Sequence, residues 1–227
     1  MSTVDKNDGG KIHCELCPHD CVITNGYFGA CGVRGSKGAA SSGAVNSVGI
    51  IPYYGFITAL AVDPIEKKPL YHFMPDTQIL SLGFSGCNLR CPFCQNWHIS
   101  QIKTPADNPL SDSRKPSGKF MKPAEIISAA LKNDTPSIAY TYSEPLVHIE
   151  YLLDCMTLAR RHGIANVLVT NGCINAKPAA EVLTLTDAAN VDLKCFSKET
   201  YKNCLGSGSD GLQTVLDFIT LANKMGI

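Results

Sequence analysis

Apolar residues recur along this chain with two periods, and the switch between them marks its layout. Over residues 123–133, Ile126, Ile127, Ala130 and Leu131 fall on one helical face, and Pro123 suits the first turn. Residues 137–142 predict a strand. Residues 145–162 predict a longer helix, with Leu146, Ile149, Leu152, Leu153 and Met156 on one stripe and Gly163 as its stop. A strand at 166–170, a helix at 178–185, a strand at 190–193 and a helix at 212–225 follow. Ahead of all of these, residues 79–84 form a short apolar strand in a segment that opens at Gln78. Strands alternating with helices imply parallel βαβ units. Short apolar strands such as Val167-Leu168-Val169 suit a barrel or a sheet covered on both faces.

The remaining stretches are less regular. Residues 43–62 read as one or two short strands broken at Pro52 and Gly55, forming a small sheet or hairpin. Residues 104–122, rich in proline, glycine and charge, read as a long surface loop. The chain thus divides into an N-terminal module over residues 1–76 and an α/β core over residues 77–227. Four parallel strands alone would leave one long edge exposed, and the sequence stops where a helix has just ended. The expectation is a chain that is incomplete, or completed by something else.

Composition narrows the class. The 227 residues are 44% hydrophobic and 18% charged, with 20 basic against 20 acidic side chains. That suits a folded chain with a real core and argues against disorder. Zero net charge removes the basic excess needed to bind nucleic acid. The longest apolar stretch, residues 50–62, is too short to cross a membrane and contains Pro52 and Gly55. The first ten residues lack the basic-then-apolar pattern of a signal peptide, so the expected location is cytoplasmic.

Cysteine changes the picture most. There are 11, and seven of them fall within the first 94 residues as a group of four and a group of three. Without a secretory signal, clustered cysteines point to metal ligands rather than disulfides. Cys87, Cys91 and Cys94 are spaced C-x3-C-x2-C directly after the first core strand. In parallel α/β folds, loops at the carboxyl ends of strands hold ligands. A structural zinc site wants four ligands, and His98 is the available fourth. Three thiolates alone suit a cubane iron–sulfur cluster with one iron left open.

The C-x3-C-x2-C spacing, with Phe93 before the last cysteine, resembles the signature of radical S-adenosylmethionine (SAM) enzymes. The resemblance implies that Cys87, Cys91 and Cys94 hold a [4Fe–4S] cluster whose open iron chelates SAM. It also implies reductive cleavage of SAM to a 5′-deoxyadenosyl radical that abstracts hydrogen from a substrate, and Phe93 lying against the adenine. Tyr142-Ser143-Glu144 stands where the family carries a glycine–glycine–glutamate motif, so the Glu144 carboxylate alone carries over. Thr170-Asn171-Gly172 and Asp192-Leu193-Lys194 are similar to segments of pyruvate formate-lyase activating enzymes, which implicates Asn171, Asp192 and Lys194 in SAM binding. Val169 replaces the acidic residue that binds a monovalent cation in some of those relatives. Residues 61–73 with Asp63-Pro64-Ile65-Glu66-Lys67-Lys68-Pro69, together with Cys94-Gln95-Asn96-Trp97, look like the radical SAM member of the AmmeMemoRadiSam system. The implied fold is α/β, a partial (β/α) barrel of about four strands with a small cysteine-rich N-terminal module. The implied partners are an electron donor such as flavodoxin or ferredoxin and a substrate left open, a protein among the candidates. An activase of a glycyl-radical partner and a zinc-binding interaction protein are the alternative readings.

Cys14, Cys17, Cys21 and Cys31 are spaced C-x2-C-x3-C-x9-C, with glycines between for tight turns, and read as a tetrahedral thiolate knuckle. Zinc or a second cluster both fit, and His13 or His19 could replace one ligand. Of the other cysteines, Cys155 reads as packing, and Cys173 and Cys195 as inert thiols near the mouth of the site. Cys204 lies in a polar loop whose continuation, residues 205–209, reads as flexible. His72 reads as a buried structural histidine, and Tyr140 or Tyr142 as lining the SAM pocket.

Overall fold

The computed structural model describes residues 4–8, 11–24, 26–35, 52–102 and 117–227. Three short strands, β1 (Val4–Asp8), β2 (Lys11–Cys14) and β3 (Cys21–Thr24), make an antiparallel N-terminal sheet. The knuckle spacing did not foretell these strands. A two-stranded ribbon follows, formed by β4 (Phe56–Ile57) and a later strand.

The core sheet starts at β5 (Ala59–Pro64) and β6 (Gln78–Gly83). After a short helix α1 (Trp97–Ser100) comes β7 (Lys119–Phe120), the partner of β4. Then α2 (Pro123–Lys132), β8 (Ser137–Thr141), α3 (Ile149–Arg161), β9 (Ala165–Thr170), α4 (Ala176–Leu183) and β10 (Ala188–Val191) alternate. Helices α5 (Lys198–Asn203) and α6 (Gly211–Lys224) complete the described chain.

The sheet order is β10-β9-β8-β6-β5. Four strands are parallel, as the alternation of periods predicts. The fifth, β5, runs antiparallel to β6 with Ala59 opposite Gly83 and Pro64 opposite Gln78. Residues 59–64 therefore extend the core sheet instead of forming a separate small sheet, and they cover the β6 edge that four parallel strands would have left open. The part of the expected 43–62 strand region before residue 52, and residues 103–116 of the expected loop, lie outside the described residues. Among the described residues the sheet is open, not a closed barrel.

Alternation along the strands gives the sheet two different faces. Leu80, Leu82, Ile138, Tyr140 and Leu168 pack in one core with Ile126, Leu152, Met156, Val182 and Phe218 of the helices. The other face carries small or polar side chains toward the strands' carboxyl ends. At its amino end it is plugged by Ile65, Ile79, Ala139, Val167 and Ala188. The hollow left above that plug is where chemistry can happen.

Local signals explain the helix ends. The Glu125 carboxylate accepts from the Lys122 N–H at 2.6 Å, closing the first turn of α2. The predicted helix at 145–162 begins as a 3-10 turn, Pro145–His148, whose first N–H, that of Leu146, donates to the Glu144 side chain. Gly163, at φ +69°, lets α3 end in the left-handed region. Arg34 ties the N-terminal module to this helix. Its buried guanidinium donates to both Glu150 oxygens, at 2.8 and 2.7 Å, and to the Val147 carbonyl at 3.3 Å.

Candidate functional site

A cavity of about 530 Å³ opens at the carboxyl ends of the parallel strands. All eight residues singled out around the cluster and SAM line it: Cys87, Cys91, Phe93 and Cys94 from the loop after β6, Glu144 after β8, Asn171 after β9, and Asp192 and Lys194 after β10. Four successive strand ends thus converge on one space, because in a parallel sheet those ends share one side.

The cysteine loop is held from several directions. Gly86 turns the chain at φ +81°, and an added Cβ there would sit 2.5 Å from Val33 and 2.7 Å from the Cys31 carbonyl. The Gly86 N–H donates to Ile99 O at 2.8 Å, and Arg90 N–H donates to Leu205 O at 2.7 Å. Arg90 also reaches the carbonyls of Cys87, at 2.8 Å, and Ala30. The Leu89 N–H points at Cys87 Sγ at 3.3 Å, and Cys94 Sγ lies 3.2 Å from Ser100 Oγ. Phe93 is 62% exposed at the rim, so its ring is free to meet a ligand. Buried Asn88 connects loops: its amide donates to Cys173 O at 2.6 Å, and its oxygen accepts from Asn171 Nδ2 at 2.9 Å.

Glu144 is the most constrained group. Its carboxylate accepts from Thr170 Oγ1 at 2.6 Å, Asn171 N at 2.8 Å and Leu146 N at 3.0 Å. Burial still pushes its carboxyl up to about 7, because three donors and nearby Lys194 only partly offset the lost hydration. Lys194 pairs with Asp192 at 2.8 Å. Burial alone would lower the Lys194 ammonium, and the carboxylate outweighs it, so the net direction is up. Burial pushes the Cys87 thiol well up and raises Cys91 against the pull of Lys194, so metal uptake here must displace protons.

The N-terminal cysteines are arranged otherwise. Cys14 and Cys21 stand opposite each other on β2 and β3, Cys17 lies in the turn between them, and the Ala30 N–H donates to Cys21 Sγ at 3.4 Å. Cys14, Cys17 and Cys31 are buried, and all four thiols are free. Burial raises Cys17, Cys31 and Cys21, the last to about 11, with the neighbouring thiols adding to each shift. Among the described residues, no three His, Cys, Asp or Glu side chains stand at metal-ligating geometry as they are. The donor sets still fit soft metals: three thiols on one cavity wall, and four from a hairpin end and the turn that follows it.

Other expectations change. His98 is exposed beside Trp97 and does not line the cavity. His72 is exposed too, because the turn after Ile65–Lys67 carries it outward. Tyr142 lines the cavity, whereas Tyr140 points the opposite way, fully buried, and donates to Asn166 Oδ1 at 3.1 Å. Residues two apart share a face within a strand, and the two rings part because Tyr142 lies beyond the end of β8. Cys155 is buried in the helix-side core, as its helical position implies. Cys173 packs behind the cysteine loop with Leu89, Tyr201 and Val215, not at the mouth. Residues 205–209 are packed as well: Leu205 and Ser207 are buried, and Gly208 lies against the Pro18 carbonyl. Sequence reasoning gave no role to Lys67 or Lys68, which also line the cavity. Their signal was a paired-lysine motif noted only for its resemblance.

The Radical SAM superfamily model matches residues 82–227, more than half of the chain. The chain belongs to the radical SAM superfamily. Its enzymes use a [4Fe–4S] cluster and SAM, the cofactors that the family resemblance implies. An uncharacterized protein of Methanocaldococcus jannaschii is 40% identical over 98% of this chain and 60% of its own length. The pyruvate formate-lyase-activating enzyme of Clostridium pasteurianum is 24% identical over 63% of this chain and 56% of its own. The 7-carboxy-7-deazaguanine synthase of Thermococcus kodakarensis is 32% identical over 54% of this chain and 51% of its own. The chain therefore spans a little over half the length of these relatives. The two named relatives bear different names, so kinship alone does not choose a substrate. No helix among the described residues is long and apolar enough to cross a membrane.

Proposed function

We propose that this chain carries the SAM-cleaving part of a radical SAM enzyme, with Cys87, Cys91 and Cys94 as the three protein ligands of a [4Fe–4S] cluster. The observation that carries this reading is the convergence of those thiols with Glu144, Asn171, Asp192 and Lys194 on one cavity. When bound, the cluster supplies the electron that breaks a carbon–sulfur bond of SAM, giving a 5′-deoxyadenosyl radical that abstracts hydrogen from the substrate. The residues' part is binding, orientation and exclusion of water. Glu144, fixed by three donors, is oriented to accept from the SAM amino group, and Lys194 offers a point charge to the carboxylate. Phe93 at the rim provides an aromatic face for the adenine. Flavodoxin or ferredoxin is the proposed electron donor. The four N-terminal cysteines are proposed to hold a structural zinc ion that braces the cluster loop.

Anaerobic reconstitution with iron and sulfide tests the central claim. The expected result is near-stoichiometric iron–sulfur absorbance that a Cys91→Ala variant loses. Wild-type chain that takes up zinc without iron or acid-labile sulfide would instead favour the zinc-binding interaction protein.

A further inference from the structure

One wall of the cavity is built by residues with no part in the proposed cluster and SAM set. Lys68 follows β5, and its side chain is only 3% exposed, yet it borders the cavity. Its ammonium donates to Asp63 Oδ2 at 3.0 Å and to the Tyr142 hydroxyl oxygen at 3.1 Å. Asp63 also accepts from Ser81 Oγ at 2.9 Å and from Lys67 at 3.3 Å. One carboxylate thus faces two ammonium groups, which leaves this wall with a surplus positive charge.

The hydrogen-bond inventory points the same way. An ammonium has three donors, and Lys68 spends two of them on Asp63 and Tyr142. The Tyr142 oxygen accepts from Lys68, so its own proton is left to donate, and among the described residues it has no protein acceptor. Lys67 is 66% exposed on its side chain and borders the same space. A Lys–Asp pair buried for stability alone would be saturated and neutral. This one is charged and has donors left over, at the edge of a cavity large enough for a ligand.

We propose that Lys67, Lys68 and Tyr142 form a subsite for an oxyanion, a carboxylate or phosphate carried by the substrate. Naming that ligand the substrate rests on the radical SAM reading above; the anion site itself does not. It lies beside β5, at the opposite edge of the sheet from Lys194 beside β10, so the two cationic groups serve different ligands. The substrate class is then an anionic small molecule or an acidic end group, held by charge and by a polarised phenol.

The test is calorimetric titration of the full chain with inorganic phosphate and with succinate, against chloride at equal ionic strength, with and without SAM. Saturable one-to-one binding of phosphate or succinate is expected, and the stronger of the two names the oxyanion. It should persist when SAM is present. Lys68→Met should weaken it roughly tenfold or more, and Tyr142→Phe roughly fivefold. Lys68→Met strands the Asp63 carboxylate and risks the fold, so Tyr142→Phe and Lys67→Met, which keep the buried pair, carry the test if it does not fold. Three results would overturn the proposal: no anion binding beyond chloride, binding indifferent to Tyr142→Phe and Lys67→Met, or displacement by SAM. Missing iron–sulfur absorbance in reconstituted wild type would sink the radical chemistry without altering the titration, so the two failures are told apart.

Discussion

The chain's two cysteine groups share a residue type and differ in almost everything around it. Cys87, Cys91 and Cys94 stand on a cavity wall, with polar side chains from three further strand ends facing them. Cys14, Cys17 and Cys21 sit at the end of a hairpin, Cys31 lies in a turn after it, and none of them lines that cavity. Three ligands beside open space leave room for an exchangeable partner, whereas four leave none. The second group nevertheless touches the first. The His19 ring nitrogen lies 2.8 Å from the Asn88 carbonyl, and Val33 and Cys31 press on Gly86. Asn175, just before α4, donates to the carbonyls of Leu16, at 3.0 Å, and Glu15, at 2.7 Å. On the proposed reading, one thiol set serves the chemistry and the other holds that arrangement still.

Removing one ligand from each group is the strongest way to break this comparison. Structural zinc contributes on the order of 10 kcal/mol to small metal modules. Cys31→Ala should therefore lose zinc, expose the N-terminal segment to protease and lower cluster loading as well. Cys91→Ala should lose cluster iron and keep zinc. Elemental analysis of both variants decides, and the comparison fails if Cys31→Ala loads a full cluster.

A milder break leaves every ligand in place. Gly86→Ala puts a Cβ into Val33 and the Cys31 carbonyl at a backbone angle that side chains avoid. A loss of about 4 kcal/mol is expected, from left-handed strain plus overpacking. The urea midpoint of the metal-free chain reads it.

Proton linkage separates the regions at similar size. Glu144 has its folded value raised from 4.5 to about 7, so its contribution is full below pH 4.5 and is lost as pH rises through 7. Relative to Glu144→Gln, the metal-free wild type should lose stability on the order of 3 kcal/mol between pH 4 and pH 8. On the brace side, Arg34 holds the Glu150 carboxyl below its ordinary 4.5, so that pair adds no slope above that pH. Chemical denaturation across pH measures the difference, and a flat Glu144 profile would contradict it. The smallest effect is His19→Ala, which removes one contact to the cysteine loop and should cost about 1 kcal/mol in a thermal melt.

The parallel strands were legible because apolar runs and helical stripes alternate cleanly from residue 123 onward. The last strand lies two residues earlier than its pattern suggests. Ala188 and Ala189 carry no strand signature, and Asp192 falls just past the strand's end although its N–H still donates to Thr170 O at 2.8 Å. Helix α5 was invisible because its sequence is polar apart from Tyr201, which packs alone into the cluster behind the cysteine loop. Strand β5 was readable as a strand but not as a member of the core sheet, since its partner β6 begins only after an irregular segment, residues 65–77. At the site, spacing alone marked the three thiols, while Glu144, Asn171, Asp192 and Lys194 needed the family resemblance. The Lys67–Lys68 wall needed the structure, because its meaning comes from Asp63 and Tyr142 brought together across 79 residues of chain.

The bond from Asn175 to Glu15 joins positions 160 residues apart. At a synthesis rate of about 5–20 residues per second, the second partner emerges roughly 8–30 s after the first. The segment with the first four thiols is thus made long before the surfaces that seat it exist. The metal proposed for those thiols could be acquired during that wait, while they are still reachable, whereas the cavity thiols gain their surroundings only once β10 is in place. On the proposed reading, birth order along the chain would set a loading order for the two sites, with the N-terminal thiols filled first and the cavity thiols last.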